Sequence, residues 1–225
     1  MKIETLDHVA LWVRDRDTLA GFLTRHLGMH VIDRAERFTL VGSDARRGKL
    51  TLFDAEGERD PGALVRVAFR VRDLGAALAG LPPDLPVEQS GGAALFGGPE
   101  GLGLGLVEAE GVEYDIDHVA LRAPDPAQTF RDLLRFGFED EDGRLRAGDS
   151  YIELEVGEPG EPERPLLNHL GLRVESADQH LAEAESLGLE IADVVDAANT
   201  HAVFVWGPER IKLEYVEHKA TFSLV

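Results

Sequence analysis

The chain repeats itself, and this repeat is the feature that most constrains its fold. Three segments of the first half resemble three segments of the second half in the same order. The matched pairs are 6–29 with 116–139, 65–81 with 168–187, and 98–108 with 207–217. Self-similarity of this kind indicates repeated copies of one structural unit. The sequence therefore predicts two domains, at 1–110 and 111–225, each about 110 residues long.

Each half divides again into two smaller units. Residues 6–14 alternate between apolar and polar side chains, which is the period of a strand. The following segment has helical spacing up to Leu27 and ends at Gly28. Short alternating runs at 37–42 and 49–54 predict further strands. The same plan starts again at Val65 and recurs in the second half, so the chain is predicted to contain four βαβββ modules.

Four such modules predict the architecture. One βαβββ module exposes an edge and a face of a small curved sheet. Two modules placed side by side form a cup of about eight strands, with the helices outside and a concave inner face where side chains converge. We therefore expect an α+β fold in which four βαβββ modules pair into two tandem, cup-shaped, mixed-sheet domains.

Composition narrows the partners. The formal net charge of −19 disfavours nucleic acid and acidic membrane surfaces. There is no apolar run near the roughly 20 residues that a membrane helix needs. Cysteine is absent, which excludes disulfides and thiolate ligands and fits a reducing cytoplasm. We expect a cytoplasmic protein with a small-molecule substrate, as a monomer or a homodimer.

Two histidines and a glutamate in the strands of the second half are candidate metal ligands. His118 and His169 lie near the starts of the first strands of modules three and four, and Glu214 lies in the last strand. Two imidazoles and one carboxylate form a facial triad that leaves open positions on a divalent metal. The set predicts a site for iron, manganese, nickel or zinc rather than for calcium, which prefers oxygen ligands.

The segments around these residues resemble a known superfamily. DHVAL at 117–121, NHLGL at 168–172 and GPERIKLEY at 207–215 are similar to the vicinal oxygen chelate superfamily of glyoxalases, bleomycin-resistance proteins and type I extradiol dioxygenases. The resemblance implies that His118, His169 and Glu214 hold the metal, with Fe(II) favoured. It also implies a small substrate that chelates the metal through vicinal oxygens.

The repeat supplies an internal comparison. In the alignment of the two halves, His8 corresponds to His118, Arg66 to His169, and Gly105 to Glu214. The first half thus keeps one of three ligands, and His8 is predicted to be structural. On this interpretation Glu214→Ala abolishes metal binding, whereas His8→Ala leaves it intact.

Other strand residues are candidates for catalysis and substrate binding. Two glutamates in SYIELEV, two residues apart, point to the same side of their strand and could supply a fourth ligand or a general base. A histidine in the penultimate strand is a candidate acid or base, and three aromatic residues are candidates for the pocket lining. The catalytic candidates are Glu153, Glu155 and His201, and the substrate-binding candidates are Phe204, Trp206 and Tyr151.

The sequence leaves three functions open. The favoured one is an enzyme that cleaves a ring by metal-dependent oxygenation, similar to extradiol dioxygenases. The second is a metal-dependent isomerase, lyase or epimerase similar to glyoxalase I, with Glu153 or Glu155 beside the metal. The third is a non-catalytic protein that binds a small molecule.

Overall fold

The protein was analysed as a computed structural model that describes residues 1–111, 113–160, 162–163 and 165–225. Within these ranges the chain forms 16 strands and four α-helices. Modules one and two comprise β1 (Thr5–Val13), α1 (Arg16–His26), β2 (His30–Arg34), β3 (Phe38–Gly42), β4 (Lys49–Asp54), β5 (Leu64–Val71), α2 (Leu74–Ala79), β6 (Val87–Ser90), β7 (Ala93–Gly97) and β8 (Gly103–Glu108). Modules three and four comprise β9 (Ile116–Ala123), α3 (Pro126–Leu134), β10 (Glu139–Glu141), β11 (Arg144–Ala147), β12 (Ser150–Val156), β13 (Leu167–Arg173), α4 (Ala177–Ser186), β14 (Ile191–Asp196), β15 (Thr200–Trp206) and β16 (Lys212–His218).

The four helices begin in the same way. In each, a side-chain oxygen of the residue before the helix accepts a hydrogen bond from the backbone N–H three residues on, which satisfies a donor that the helix leaves unpaired. The capping residues are Asp15, Asp73, Asp125 and Ser176. The repeated cap explains why each module turns from its first strand into a helix at the same point.

Four strands had no sequence prediction. They are β2, β6, β10 and β14, and each lies at an edge of its sheet. Their residues are largely exposed, as in β14, where five of six residues are exposed. An edge strand with little buried surface carries no clean apolar alternation, so the pattern that identifies strands is missing.

The strands form two mixed sheets of eight. The order in the first is β14-β15-β16-β13-β1-β4-β3-β2, and in the second β10-β11-β12-β9-β5-β8-β7-β6. The predicted fold class, with four βαβββ modules paired into two cup-shaped sheets, is confirmed. Apolar side chains between each sheet and its helices form the core, in which Tyr215 is fully buried and donates a hydrogen bond to the carbonyl of Phe136.

The partners within each cup differ from the prediction. Module one pairs with module four through antiparallel β1 and β13, and module two pairs with module three through antiparallel β5 and β9. Residues 1–110 and 111–225 therefore do not form separate cups; each cup takes one module from each half. Every module offers the same first-strand edge, so the repeat alone does not select a partner. The shortest connection between modules, 109–115, joins the adjacent modules two and three.

No helix among the described residues is both long enough and apolar enough to cross a membrane.

Candidate metal centre

Three potential ligands meet on the concave face of the first cup. They are His8 on β1, His169 on β13 and Glu214 on β16, and all three are buried. The Nε2 atoms of the two histidines are 3.0 Å apart. Oε2 of Glu214 lies 2.9 Å from each of these Nε2 atoms. These residues are a group that could hold a metal ion.

The spacing of the three donor atoms fits one face of an octahedron. Ligands that sit about 2.1 Å from a metal and subtend about 90° are separated by about 3.0 Å, whereas a tetrahedral arrangement separates them by about 3.4 Å. The separations of 2.9–3.0 Å match the first value. A facial set of two imidazoles and a carboxylate leaves the opposite face of the metal open.

The outer ring nitrogens fix which atoms face the centre. Nδ1 of His8 lies 2.7 Å from a carboxylate oxygen of Asp7, and Nδ1 of His169 lies 3.1 Å from the amide oxygen of Asn168. An acceptor at Nδ1 places the proton there and leaves the Nε2 lone pair free for a metal. Oε2 of Glu214 is buried, and the Nε2 atoms of His8 and His169 lie within hydrogen-bonding distance of it. Three potential metal-binding atoms therefore converge on one point, which suits a bound cation.

The electrostatics of the metal-free centre point the same way. Burial lowers the pKa of His8, but the Glu214 carboxylate and the Asp7 hydrogen bond outweigh burial and raise this pKa to about 9. Burial lowers the pKa of His169. Burial raises the pKa of Glu214, but His8 and His169 outweigh it and hold this pKa well below its usual range. Without metal, a proton on His8 serves as the compensating positive charge.

Strand irregularities aim the two histidines and their supporting residues. The pairing of β1 with β13 skips one residue of β1 at Asp7 and one residue of β13 at Asn168. Each skip is a β-bulge, which re-aims side chains relative to a regular strand. The residue preceding each histidine can therefore reach the Nδ1 of that histidine, although neighbours in a regular strand point to opposite faces.

A glycine makes room for the His8 ring. Gly171 on β13 pairs with His8, and a Cβ atom at this position would lie 2.2 Å from Cε1 of His8 and 2.3 Å from Nδ1. A side chain at residue 171 would therefore occupy the space of the imidazole ring.

A threonine stands where a fourth ligand could be. Glu214 pairs with the residue two beyond His169 on the neighbouring strand. In module one, the residue two beyond His8 is Ala10, and it pairs with Thr51. Thr51 is buried, and its hydroxyl is a far weaker metal ligand than a carboxylate. The first cup therefore offers three strong ligands rather than four.

The centre opens into a cavity of about 360 Å³. Four phenylalanines from four separate segments form much of its apolar wall: Phe38, Phe53, Phe204 and Phe222. Phe204, which was predicted to bind substrate, packs edge-on against His169 with ring centroids 5.2 Å apart. A cavity of this size and character suits a small, flat, largely apolar molecule.

Charged residues surround the supporting carboxylate of Asp7. The ammonium of Lys49 donates a hydrogen bond of 2.6 Å to the Asp7 oxygen that also contacts His8. Nε2 of His218 lies 3.0 Å from the other oxygen of Asp7. Burial raises the pKa of Asp7, but Lys49 and the two histidines outweigh it and hold this pKa well below its usual range. Asp7 therefore stays ionised beneath His8.

The prediction that His118 joins His169 and Glu214 is corrected by this arrangement. His118 lies on β9 in the second cup, where its Nε2 accepts a hydrogen bond of 3.2 Å from Nε of Arg66. His8, predicted to be structural, takes the place assigned to His118. The cause is the pairing of modules, which brings the first strand of module one, not of module three, beside module four.

The two candidate glutamates of SYIELEV also belong to the second cup. The guanidinium of Arg66 donates a hydrogen bond of 2.7 Å to Glu153 and a second one to Glu155. Neither glutamate joins the group formed by His8, His169 and Glu214. The expectation that one of them stands beside the metal is therefore corrected.

The remaining candidates lie outside the immediate centre. The hydroxyl of Tyr151 donates to Glu141 in the second cup. His201 faces Asp178 at 3.7 Å and does not line the cavity of the centre. Trp206 lines a neighbouring cavity at the end of the first cup. Of the predicted substrate-binding residues, Phe204 lines the cavity of the centre and Trp206 lines the neighbouring cavity.

Sequence reasoning missed several residues of the centre. Asp7, Asn168 and Lys49 support the ligands, and Thr51 occupies the fourth position. One signal was available, since the DH and NH dipeptides place a hydrogen-bond acceptor directly before each ligand. The contribution of Lys49 had no local signal, because it depends on which strands are neighbours.

The fold and the site together define a class: proteins with two cups of paired βαβββ modules and a two-histidine, one-carboxylate centre in one cup. A family model for the Glyoxalase/Bleomycin resistance protein/Dioxygenase superfamily matches residues 5–82. The predicted resemblance to this superfamily is thereby confirmed, and the matched segment contains His8 and Thr51. The superfamily contains metalloenzymes that act on small molecules.

Solved structures share the fold across nearly the whole chain. A Bacillus subtilis protein described as a "putative dioxygenase" has a TM-score of 0.78 at 18% identity, covering 98% of this chain and 87% of that one. Glyoxalase I from Zea mays has a TM-score of 0.73 at 15% identity, covering 95% and 92%. The cppA protein from Streptococcus pneumoniae has a TM-score of 0.64 at 15% identity, covering 96% and 100%. At these identities the likeness concerns the fold alone. Among curated proteins, none matches the sequence.

Proposed function

We propose that this chain is a mononuclear metalloenzyme that cleaves the ring of a small aromatic substrate carrying vicinal oxygens. His8, His169 and Glu214 would hold a divalent metal, with Fe(II) favoured over manganese, nickel and zinc. The observation that carries the proposal is the number of strong ligands. Three donors lie within 3.0 Å of one another, and the fourth position holds Thr51.

The ligand count favours oxygenation over isomerisation. A divalent metal held by His8, His169 and Glu214 would keep open positions, at which it could bind two vicinal oxygens of a substrate and supply oxygenation chemistry. A glyoxalase-like reaction would use a fourth carboxylate, as ligand or base, beside the metal. The candidates for that role, Glu153 and Glu155, are bound to Arg66 in the second cup.

The residues of this chain would position and insulate the reaction. Asp7 holds the His8 ring in the orientation that turns Nε2 to the metal, and Lys49 keeps Asp7 ionised. The phenylalanine wall would offer an apolar surface against which an aromatic ring can pack. The proposal favours the reducing cytoplasm as the compartment of this protein, because reducing conditions preserve Fe(II). The protein would act as a monomer or a homodimer.

The test begins with metal content and then measures turnover. Wild-type protein, reconstituted anaerobically with Fe(II), should hold about one iron per chain and consume dioxygen with catechol. His8→Ala and Glu214→Ala should lose the iron. His118→Ala is the matched control, because it removes the equivalent histidine of the second cup and should retain the iron.

Other outcomes would redirect the proposal. Loss of iron in His118→Ala, with retention in His8→Ala, would refute the assignment of the ligands. Stoichiometric iron without oxygen consumption across a catechol series would refute ring cleavage. A wild-type protein that binds no divalent metal would leave the non-catalytic binding protein as the better hypothesis.

A further inference from the structure

The concave face of the first cup continues past the metal centre. On β16, Lys212 and Glu214 are two residues apart and therefore point to the same face. Their partners on β15 are Trp206 and Phe204, respectively. The pair Trp206–Lys212 thus forms the next row of the concave face, about 7 Å along the strands from the row of Phe204 and Glu214.

This row lines a second cavity of about 720 Å³ at the end of the first cup. Trp12, which shares the face of β1 that carries His8, forms another part of its wall. Trp12 also packs against Phe53 of the metal cavity, with ring centroids 5.4 Å apart. The two cavities therefore share a wall, and Asn168, which supports His169, lines the second cavity.

The charge of Lys212 has no carboxylate partner among the described residues. Its ammonium lies 5.0 Å from the centroid of the Trp206 ring. The neighbouring Arg210 is engaged with Glu190 at 2.8 Å, and its guanidinium lies over the same ring. Of the acidic residues in the wall, Glu209 accepts a hydrogen bond from Thr129, and Glu158 is exposed. A half-buried ammonium beside an aromatic face is suited to bind an anion that also has an apolar body.

We propose that Lys212 and Trp206 form a specificity subsite for a carboxylate on the substrate. The carboxylate subsite is inferred from the cavity alone, whereas the vicinal oxygens of the substrate rest on the proposed function. The substrate class is then a small aromatic acid with vicinal hydroxyl groups at one end and a carboxylate at the other, since Lys212 lies one row of the concave face beyond Glu214. Lys212 would bind the carboxylate, and Trp206 would pack against the linking carbon atoms.

The subsite can be tested without metal, because it has its own spectroscopic reporter. The chain contains two tryptophans, and both line this cavity. Tryptophan fluorescence of the metal-free protein is titrated with phenylacetate and with its neutral analogue phenylacetamide. A charge-assisted hydrogen bond in a partly buried site predicts that phenylacetate binds about 10- to 100-fold more tightly.

Variants assign that preference to the lysine. Lys212→Met should reduce the preference for phenylacetate to less than about twofold, and Lys212→Arg should keep most of it. Lys2→Met removes the same charge from an exposed position and should change nothing. Equal binding of the two ligands by the wild type, no fluorescence response, or an unchanged preference in Lys212→Met would overturn the proposal.

A second titration separates this inference from the proposed function. Metal-loaded protein is titrated with 3,4-dihydroxybenzoate and with catechol, and the two affinities are compared. Preference for the carboxylate that depends on Lys212 supports the subsite and its alignment with the metal. Failure to bind either diol, with phenylacetate still preferred by metal-free protein, would refute the proposed metal chemistry and not the anion subsite. Binding of both diols with equal affinity would refute the alignment of the subsite with the metal and not the metal chemistry.

Discussion

Replacing Gly171 with alanine is the sharpest test of the metal centre, because the substitution adds one methyl group to an otherwise normal strand. A Cβ atom at residue 171 would lie 2.2 Å from Cε1, 2.3 Å from Nδ1 and 2.7 Å from Nε2 of His8. Non-bonded carbon atoms normally approach to about 3.5–4.0 Å. The His8 ring must therefore move by more than about 1 Å, or β13 must separate from β1.

Either movement removes one ligand from the centre. Metal–ligand distances tolerate only about 0.2 Å of displacement, so a shift of 1 Å breaks the bond. Loss of a supporting residue around a metal typically weakens affinity 10- to 100-fold, and loss of a ligand should exceed that. We expect Gly171→Ala to bind Fe(II) or Zn(II) at least about 100-fold more weakly. Overpacking of the buried strand should also cost about 1–3 kcal/mol of unfolding free energy.

A double-mutant cycle separates the two effects. His8→Ala removes the ring that the new methyl group meets, so Gly171→Ala should cost much less stability in the His8→Ala background. Metal affinity is measured by competition with a chelator, and stability by urea denaturation. Gly97→Ala is the control, since a Cβ atom there meets nothing within 4 Å. If Gly171→Ala binds the metal with a Kd within threefold of the wild-type value, a difference of about 0.6 kcal/mol in binding free energy, this account of the centre is refuted.

Two further predictions concern charge. The metal must displace the proton of His8, whose pKa in the metal-free protein is raised to about 9. Metal affinity measured by calorimetry should therefore rise as pH increases from 6 towards about 9 and then level off. In the metal-free protein, the stabilising effect of this proton should be complete below pH 6.5, the ordinary pKa of histidine, and should be lost as pH rises through 9. Affinity that falls over this range would contradict the role of His8. In the second cup, Arg66→Met removes the cation that Glu153 and Glu155 share and leaves Glu153 with Arg144 at 3.6 Å. The substitution should cost about 1 kcal/mol in urea denaturation, because both carboxylates are partly exposed. Iron content should not change, and a loss of iron would show that the second cup supports the metal.

The sequence was sufficient to identify the modules and the strand positions that carry ligands. The internal alignment matched His8 with His118 and Arg66 with His169. The register confirms that Gly105 corresponds to Glu214, since Gly105 pairs with the residue two beyond Arg66 and Glu214 with the residue two beyond His169. These relations depend on local patterns of strands, helices and caps. Local patterns repeat within each module and are therefore visible in the sequence.

The pairing of modules could not be obtained from the same patterns. Each first strand offers a similar edge, so the choice between partners depends on connections and on contacts across the cup. One long-range signal was present. Glu153 and Glu155 point to one side of β12, and Arg66 of module two binds both of them because modules two and three share a cup.

The second cup carries a fixed cation at the position that corresponds to the candidate metal centre of the first cup. In both cups a histidine on the first strand receives support from a preceding aspartate, at 2.7 Å for His8 and 2.8 Å for His118. In the second cup the guanidinium of Arg66 lies beside His118 and binds Glu153, so a side chain supplies the compensating cation permanently. A fixed guanidinium donates hydrogen bonds to the histidine nitrogen and the carboxylate, but unlike a metal it has no coordination position at which a substrate could bind. The first cup, with histidine at the position of Arg66, instead leaves its lone pairs directed at one another across 3.0 Å. In the metal-free protein the proton of His8 supplies the compensating positive charge, and a metal can replace that proton, whereas it cannot replace a covalently fixed guanidinium.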